Sequence, residues 1–359
     1  MDACRWVTKT IPYAPYVTDI DYITHYGCKY VAHGDDITSD SDGNDTYRYV
    51  KEAGRFKVVK RSPGISTTDL VGRMLLCTKT HFIRSLERVL AGEEGSGTAE
   101  ERRAQGAAML ERIRLYATDE SAERPGADVW FWTATARGED GREMGSFRKF
   151  LDGRGARLGQ RVVYVDGGFD LFCSGHIEFL RKVLEAEEER ARGEGWFEEA
   201  ARARRVGEAG ADYGPAYVVV GVHEDGVINE WKGINYPVMN IYERGLCVLQ
   251  CKYIDAVVFG APFTPNKSYL ADFPLGTPSV VYHGPTAFMP LTYDPYVEAK
   301  QMGIYREIGE HAFSHVNAGQ IVERIMQSRD RYEARQRAKG VKAELEAAAR
   351  ERELTEAAE

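Results

Sequence analysis

The sequence predicts an α/β chain in which one doubly wound, parallel-sheet domain is written twice in tandem, the first copy incomplete. Three observations carry this. Blocks of sequence recur in register about 250 residues apart, the second copy alternates apolar β-branched runs with helical periodicity, and the first copy lacks the elements that open the second.

The repeat begins with Cys4-Arg5-Trp6-Val7 and Ala14-Pro15-Tyr16, which return as Cys251-Lys252-Tyr253-Ile254 and Ala261-Pro262-Phe263 at an offset of 247. His33-Gly34 matches His283-Gly284 at 250. Asp45-Thr46-Tyr47 and Gly54-Arg55-Phe56 match Asp294-Pro295-Tyr296 and Gly303-Ile304-Tyr305 at 249, and Leu70-Val71-Gly72-Arg73-Met74 matches Ile321-Val322-Glu323-Arg324-Ile325 at 251. The period is too long for a solenoid and suits two copies of one domain. Copy two has 90 positions between Arg161 and Cys251, whereas copy one has 3 before Cys4. Half a parallel sheet would leave a buried edge unpaired, so a truncated gene model is the favoured expectation and a short isoform the alternative.

Copy two reads as alternating elements. Residues 161–165 (RVVYV) are an apolar β-branched strand, 166–175 a glycine-containing turn, and 176–189 a helix with Ile177, Leu180 and Leu184 on one face. Residues 186–215, rich in Glu, Arg, Ala and Gly, read as a peripheral helical insertion anchored by Trp196 and Phe197. A buried strand follows at 217–222, a helix at 240–251, and strands at 256–259 and 279–282. Parallel crossovers of this kind demand a doubly wound sheet. The expected organisation is therefore 1–89 as the C-terminal half of a first domain, 90–159 as a linker, 160–328 as a second domain, and 329–359 as a charged helical tail. Within the linker, 99–116 reads as a charged helix and Trp130-Phe131-Trp132 as an aromatic cluster packed on a domain.

Composition excludes several classes. A length of 359 residues suits about two domains. A formal net charge of −8 offers no broad basic surface to nucleic acid. The most apolar stretch, 217–222, is far short of a membrane span, and the N-terminus does not read as a signal peptide, so a cytoplasmic location is expected. Six scattered cysteines without a CxxC pair are expected to stay reduced, with no disulfide framework and no metal site. Oligomeric state has no signature here.

Chemistry concentrates in Asp166-Gly-Gly-Phe-Asp-Leu-Phe-Cys-Ser-Gly-His176. Its glycines follow a strand and precede a helix, where backbone N–H groups and the helix dipole favour a phosphate. His176, at the helix start, could donate to phosphate oxygens and to charge developing during transfer. Taken by its glycines alone, the segment is equally well a tight strand-to-helix turn.

The segment "GGFDLFCSGH" (167–176) resembles the GxFDxxHxGH signature of the cytidylyltransferases, members of the HxGH nucleotidyltransferase superfamily. "KRSPGISTTDLVGRML" (60–75) resembles their second signature, RTxGISTT, in the form found in the ethanolamine-phosphate cytidylyltransferases. The tandem copies agree with that branch of the family. The resemblance implies two Rossmann-like doubly wound nucleotidyltransferase domains in tandem, the first incomplete. It also implies transfer of CMP from CTP to phosphoethanolamine, giving CDP-ethanolamine and pyrophosphate for phosphatidylethanolamine synthesis, with Mg²⁺ expected alongside CTP.

Such a transfer needs positioning and charge stabilisation more than covalent chemistry. Arg61 would supply a charged fork, and Ser66, Thr67 and Thr68 hydroxyls at a helix start would grip the triphosphate, although Ser-Thr-Thr alone reads as an N-cap. The resemblance further implies nucleotide contacts at His33, Gly34 and Asp35, at Gly168, Phe169 and His176, at Lys232 and Arg244, and at His283, Gly284 and Thr286. Without it, Lys232 is a solvated lysine, Glu243-Arg244 a helix-surface ion pair and His-Gly a turn.

Two departures stand out. Cys173 occupies the place of the first histidine of HxGH and is a weaker donor. His315-Val316-Asn317-Ala318-Gly319 aligns with Gly64-Ile65-Ser66-Thr67-Thr68, so copy two lacks the paired threonines. Copy two is therefore expected to be catalytically degenerate yet able to bind nucleotide, and copy one to keep the second signature without its own HxGH loop. The alternative expectation is a catalytically inactive nucleotide-binding or regulatory fragment of the same family.

Overall fold

The computed structural model describes residues 1–35, 38–60, 67–138, 143–233, 235–285, 293–332 and 334, the side chains of Thr68 and Arg137 excepted. They form two compact units, Lys9–Asp69 on the one hand, and Met1–Thr8 with the described residues from Leu70 on the other. In the smaller unit, β1 (Val31–His33) and β2 (Phe56–Val58) run parallel, with His33 opposite Val58.

The larger unit is built on one seven-stranded sheet. Its strands are β3 (Asp128–Arg137), β4 (Glu143–Leu151), β5 (Arg161–Gly167), β6 (Ala216–Val222), β7 (Ala256–Phe259), β8 (Val280–His283) and β9 (Tyr305–Glu307), in the order β4-β3-β7-β6-β5-β8-β9. All pairings are parallel except β3 with β4. All seven residues of β6 are buried, as a strand covered on both faces requires. Alternate residues divide between two cores. Val163, Val165, Val218 and Val220 pack with Leu180, Val183 and Leu246 on one face, while Tyr164, Tyr217 and Val219 pack with Tyr269, Phe273 and Tyr296 on the other. The chain steps from β5 to β6 on one side and returns to β8 on the other. That reversal opens a crevice at the carboxyl ends of β5 and β8, where ligands of such sheets bind.

The expected strands of copy two are present, and its first helix runs Ser174–Gly193, past the expected 189. The insertion holds the helix Glu199–Ala209, pinned by Arg205. That guanidinium lies over the Trp196 ring, 4.4 Å from its centroid, and donates to Asp212 at 2.8 Å. Phe197, expected as a second anchor, is exposed. In residues 90–159, the helix Ala99–Tyr116 forms as expected, started by a reciprocal Thr98/Glu101 capping box. The aromatic cluster lies in β3, and the β3–β4 hairpin adds two strands to the sheet beside β7.

The repeat is reproduced element by element. The helix Arg48–Glu52 corresponds to Val297–Gln301, and Thr67–Leu76 to Ala318–Gln327. His33 opposite Val58 corresponds to His283 opposite Glu307. Asp45 accepts from the Tyr47 N–H and pairs with Lys51; Asp294 accepts from the Tyr296 N–H and pairs with Lys300. Gly54 and Gly303 both take positive φ, +67° and +73°, at the turn into the next strand.

Candidate functional site

A cavity of about 470 Å³ fills the crevice of the larger unit. The end of β5 and the glycine loop form its floor, the start of the helix Ser174–Gly193 one wall, and Trp231, Lys232 and Phe263 another. The turn after β8 and the segment 311–318 close the rest. Six expected contacts converge here: Gly168, Phe169, His176, Lys232, His283 and Gly284.

The glycine loop is held in an unusual shape. Phe169 and Leu171 take φ of +49° and +48°, the left-handed region that non-glycine residues avoid. Buried Asp170 fixes it by accepting from the N–H groups of Leu171, Val238 and Met239 at 3.0, 2.8 and 2.9 Å. Gly175 is required because a Cβ there would meet the Val316 carbonyl oxygen at 2.2 Å and the Phe313 carbonyl oxygen at 3.1 Å.

His176 accepts the Cys173 backbone N–H at Nδ1, 3.2 Å away, which puts its ring proton on Nε2. Its ring stacks on Phe172 with 5.6 Å between centroids. Burial, and then the charge of Lys232, lower its pKa to about 4, so it is a neutral donor at pH 7. Burial also lowers the pKa of Lys232, with Asp170 opposing the shift, and its ammonium lies 5.5 Å from the Tyr236 ring centroid. His283 packs on Tyr296, centroids 4.8 Å apart.

Arg244 lies behind the loop and does not line the cavity. Its guanidinium is fully buried and donates to the carbonyls of Met239 (3.0 Å), Gly168 (2.6 Å) and His223 (2.6 Å) and to Asp225 (2.7 Å). Arg244 thus positions the glycine loop. Glu243 and Arg244 are not a surface pair either, since Glu243 takes a bidentate bond from Arg73 at 2.7 and 2.9 Å.

Sequence reasoning missed Asp170, Asp225 and His223, and the pair of Asp166 with Tyr296. The Tyr296 hydroxyl donates to the Asp166 carboxylate at 2.5 Å, and burial raises the Asp166 pKa to about 7. The aspartates of "DGGFD" were the available signal. Trp231 and Phe263 stack at 4.8 Å and make a flat aromatic wall.

The Cys173 sulfur lies 3.4 Å from Nδ1 of His176. The thiol donates to the Val316 carbonyl at 3.2 Å. Asn317, aligned with Ser66, accepts from the Gln320 N–H at 3.1 Å and caps its helix.

In the smaller unit a second hollow, about 330 Å³, is lined by Gly34, Asp35, Tyr47, Lys51 and Phe56 among others. The His33 ring packs on Tyr47 at 4.7 Å, as His283 does on Tyr296. Arg61, Ser66 and Thr286 lie outside the described residues, as does the Thr68 side chain; Thr67 opens the helix Thr67–Leu76. Among the described residues no three His, Cys, Asp or Glu converge as a metal site, and no helix is long and apolar enough to cross a membrane.

The family model described as cytidylyltransferase-like matches residues 1–73. An ethanolamine-phosphate cytidylyltransferase from Dictyostelium discoideum is 34% identical over 343 residues, 95% of this chain and 79% of its own. That of Mus musculus is 35% identical over 348 residues, 95% of this chain and 76% of its own, and that of Arabidopsis thaliana 30% over 347, 93% and 68%. These likenesses cover 93–95% of the chain, both copies of the repeat included, and on that ground the chain belongs to the ethanolamine-phosphate cytidylyltransferase family.

Proposed function

We propose that the chain transfers CMP from CTP to phosphoethanolamine, forming CDP-ethanolamine and pyrophosphate in phosphatidylethanolamine synthesis. The observation that carries this is kinship to enzymes of that name over 95% of the chain. A phosphate oxygen of phosphoethanolamine attacks the α-phosphorus of CTP in line, and the bond from that phosphorus to the pyrophosphate oxygen breaks. Negative charge spreads over the transferring group, so fixed donors are what lower the barrier. The signature in copy one assigns that role to Arg61, Ser66, Thr67 and Thr68, with His33, Gly34 and Asp35 near the base. Mg²⁺ would be carried by the triphosphate; the described residues offer it no ligand cluster, and no step here depends on one. The cytoplasm is the proposed compartment.

A second role is favoured by one observation in copy two. Its cavity keeps a glycine loop, a neutral His176 donor and Lys232, but carbonyls of 313–316 lie against the helix start. Copy two then holds nucleotide without turning it over.

The test is product formation by the protein from CTP with phosphoethanolamine or phosphocholine. CDP-ethanolamine should form at least tenfold faster. Equal rates, or preference for phosphocholine, would overturn the assignment.

A further inference from the structure

The segment around Cys4 pairs antiparallel with its own repeat counterpart around Cys251, and the two cysteines stand opposite each other. The Arg5 N–H donates to the Gln250 carbonyl at 2.8 Å, and the Lys252 N–H to the Ala3 carbonyl at 2.9 Å. These bonds flank the cysteines and neither joins them. Cys4 and Cys251 are therefore a non-hydrogen-bonded antiparallel pair, in which Cα atoms stand about 4.5 Å apart with side chains close together on one face. A disulfide accepts Cα separations of roughly 4.4–6.8 Å. Both thiols are free, Cys4 partly exposed and Cys251 buried. Cys4 has only a long contact, 3.6 Å, to the Gln250 side-chain oxygen. The Arg5 guanidinium donates to the carbonyls of Ile254 at 2.6 Å and Cys251 at 3.2 Å; burial pushes the Cys251 thiol up to about 11 and the Arg5 charge opposes that only in part, so Cys251 is the second thiol to react. Among the described residues no other two cysteines face each other across paired strands.

We propose that Cys4 and Cys251 are a site of reversible oxidative modification, closing a cross-strand disulfide by exchange with a small-molecule disulfide of the glutathione class. Exposure makes Cys4 the first to react. Its thiolate attacks one sulfur of oxidised glutathione, the S–S bond breaks, and one glutathione leaves as thiolate and takes a proton. Cys251 then gives its proton to water and attacks the Cys4 sulfur, and the second glutathione leaves. Two cysteine thiols are oxidised and one glutathione disulfide is reduced to two thiols. The site is remote in sequence from the glycine loop and shares no residue with the nucleotide cavity.

The test incubates the whole chain in glutathione buffers of increasing oxidised fraction, quenches with acid, alkylates, and maps peptides by mass. The expected result is a peptide carrying Cys4 joined to one carrying Cys251, with those two thiols lost to alkylation and both restored by dithiothreitol. In Cys251→Ser, Cys4 should instead hold a glutathione. A Cys28→Ser/Cys77→Ser variant removes two exposed competitors and should still form the link. The proposal is overturned if Cys4 and Cys251 remain alkylatable in buffers that load glutathione onto Cys28 and Cys77, or if either one links to a different cysteine.

Discussion

The Cys173 thiol donates to the Val316 carbonyl across 3.2 Å, and so draws the segment 313–316 onto the start of the helix Ser174–Gly193. A helix N-terminus is where a phosphate would be drawn. Here carbonyl oxygens, which repel phosphate, stand against Gly175. On the reading proposed above, these carbonyls leave a cavity that keeps its loop and suits a ligand with few phosphates.

Replacing that thiol should restore phosphate capacity. Cys173→His breaks the bond to Val316 and supplies an imidazole donor, so it should tighten CTP more than CMP in calorimetric titrations of copy two. One added hydrogen bond to a charged group is worth about 1.5–3 kcal/mol, which is about tenfold or more in affinity. Equal gains for both nucleotides would place residue 173 away from the β- and γ-phosphates.

Arg244 should behave as a structural ion. Its partner Asp225 is fully buried and also accepts from the Ile83 N–H at 2.8 Å, so Arg244→Ala leaves a buried carboxylate without its counter-ion. A loss of about 3–5 kcal/mol is expected in denaturant unfolding. Asp225→Asn in the same chain should recover part of it, because the stranded charge is gone. Additive losses from the two changes would show that the ion pair is not the unit.

How much of this was legible in the sequence divides by range. The strands of copy two declared themselves as short β-branched runs, because a parallel sheet buries both faces and needs no alternation. The repeat could be read to the residue, since Tyr47 and Tyr296 each begin a short helix followed by a left-handed glycine. The β3–β4 hairpin was hidden: Trp130-Phe131-Trp132 reads as an apolar cluster until β7 is beside it, when Phe131 and Trp132 fall into opposite cores. Asp170 to the 238–239 amides and Arg244 to Asp225 join positions 68, 69 and 19 residues apart, and no local pattern announces such bonds. The neutrality of His176 follows from burial, which only the folded chain defines.

Asp166 should make stability fall as pH rises. Burial raises its folded pKa to about 7 from the usual 3.8, so the folded state holds a proton that the unfolded chain has already lost. Its contribution is fully present below about pH 4 and is lost progressively toward pH 7. Asp166→Asn, which keeps an oxygen for the Tyr296 hydroxyl, should therefore raise the melting temperature relative to the parent at pH 8 and do so less at pH 5. A constant difference across that range would mean that the carboxyl is ionised throughout.

Catalysis should divide between the copies unequally. In copy one, Arg61 and the paired threonines are the donors that the second signature aims at developing charge, and such donors act on the transition state more than on bound substrate. Arg61→Ala should cut kcat by about 10²-fold or more, the usual cost of losing one such donor. In copy two, His176 faces a cavity whose phosphate end meets the Val316 carbonyl, so His176→Ala should leave kcat within about threefold and weaken nucleotide binding there instead. Steady-state kinetics with CTP and phosphoethanolamine separate the two. If His176→Ala abolishes turnover while Arg61→Ala is tolerated, the chemistry belongs to copy two, and the bond from Cys173 to Val316 must open during the cycle to admit the triphosphate.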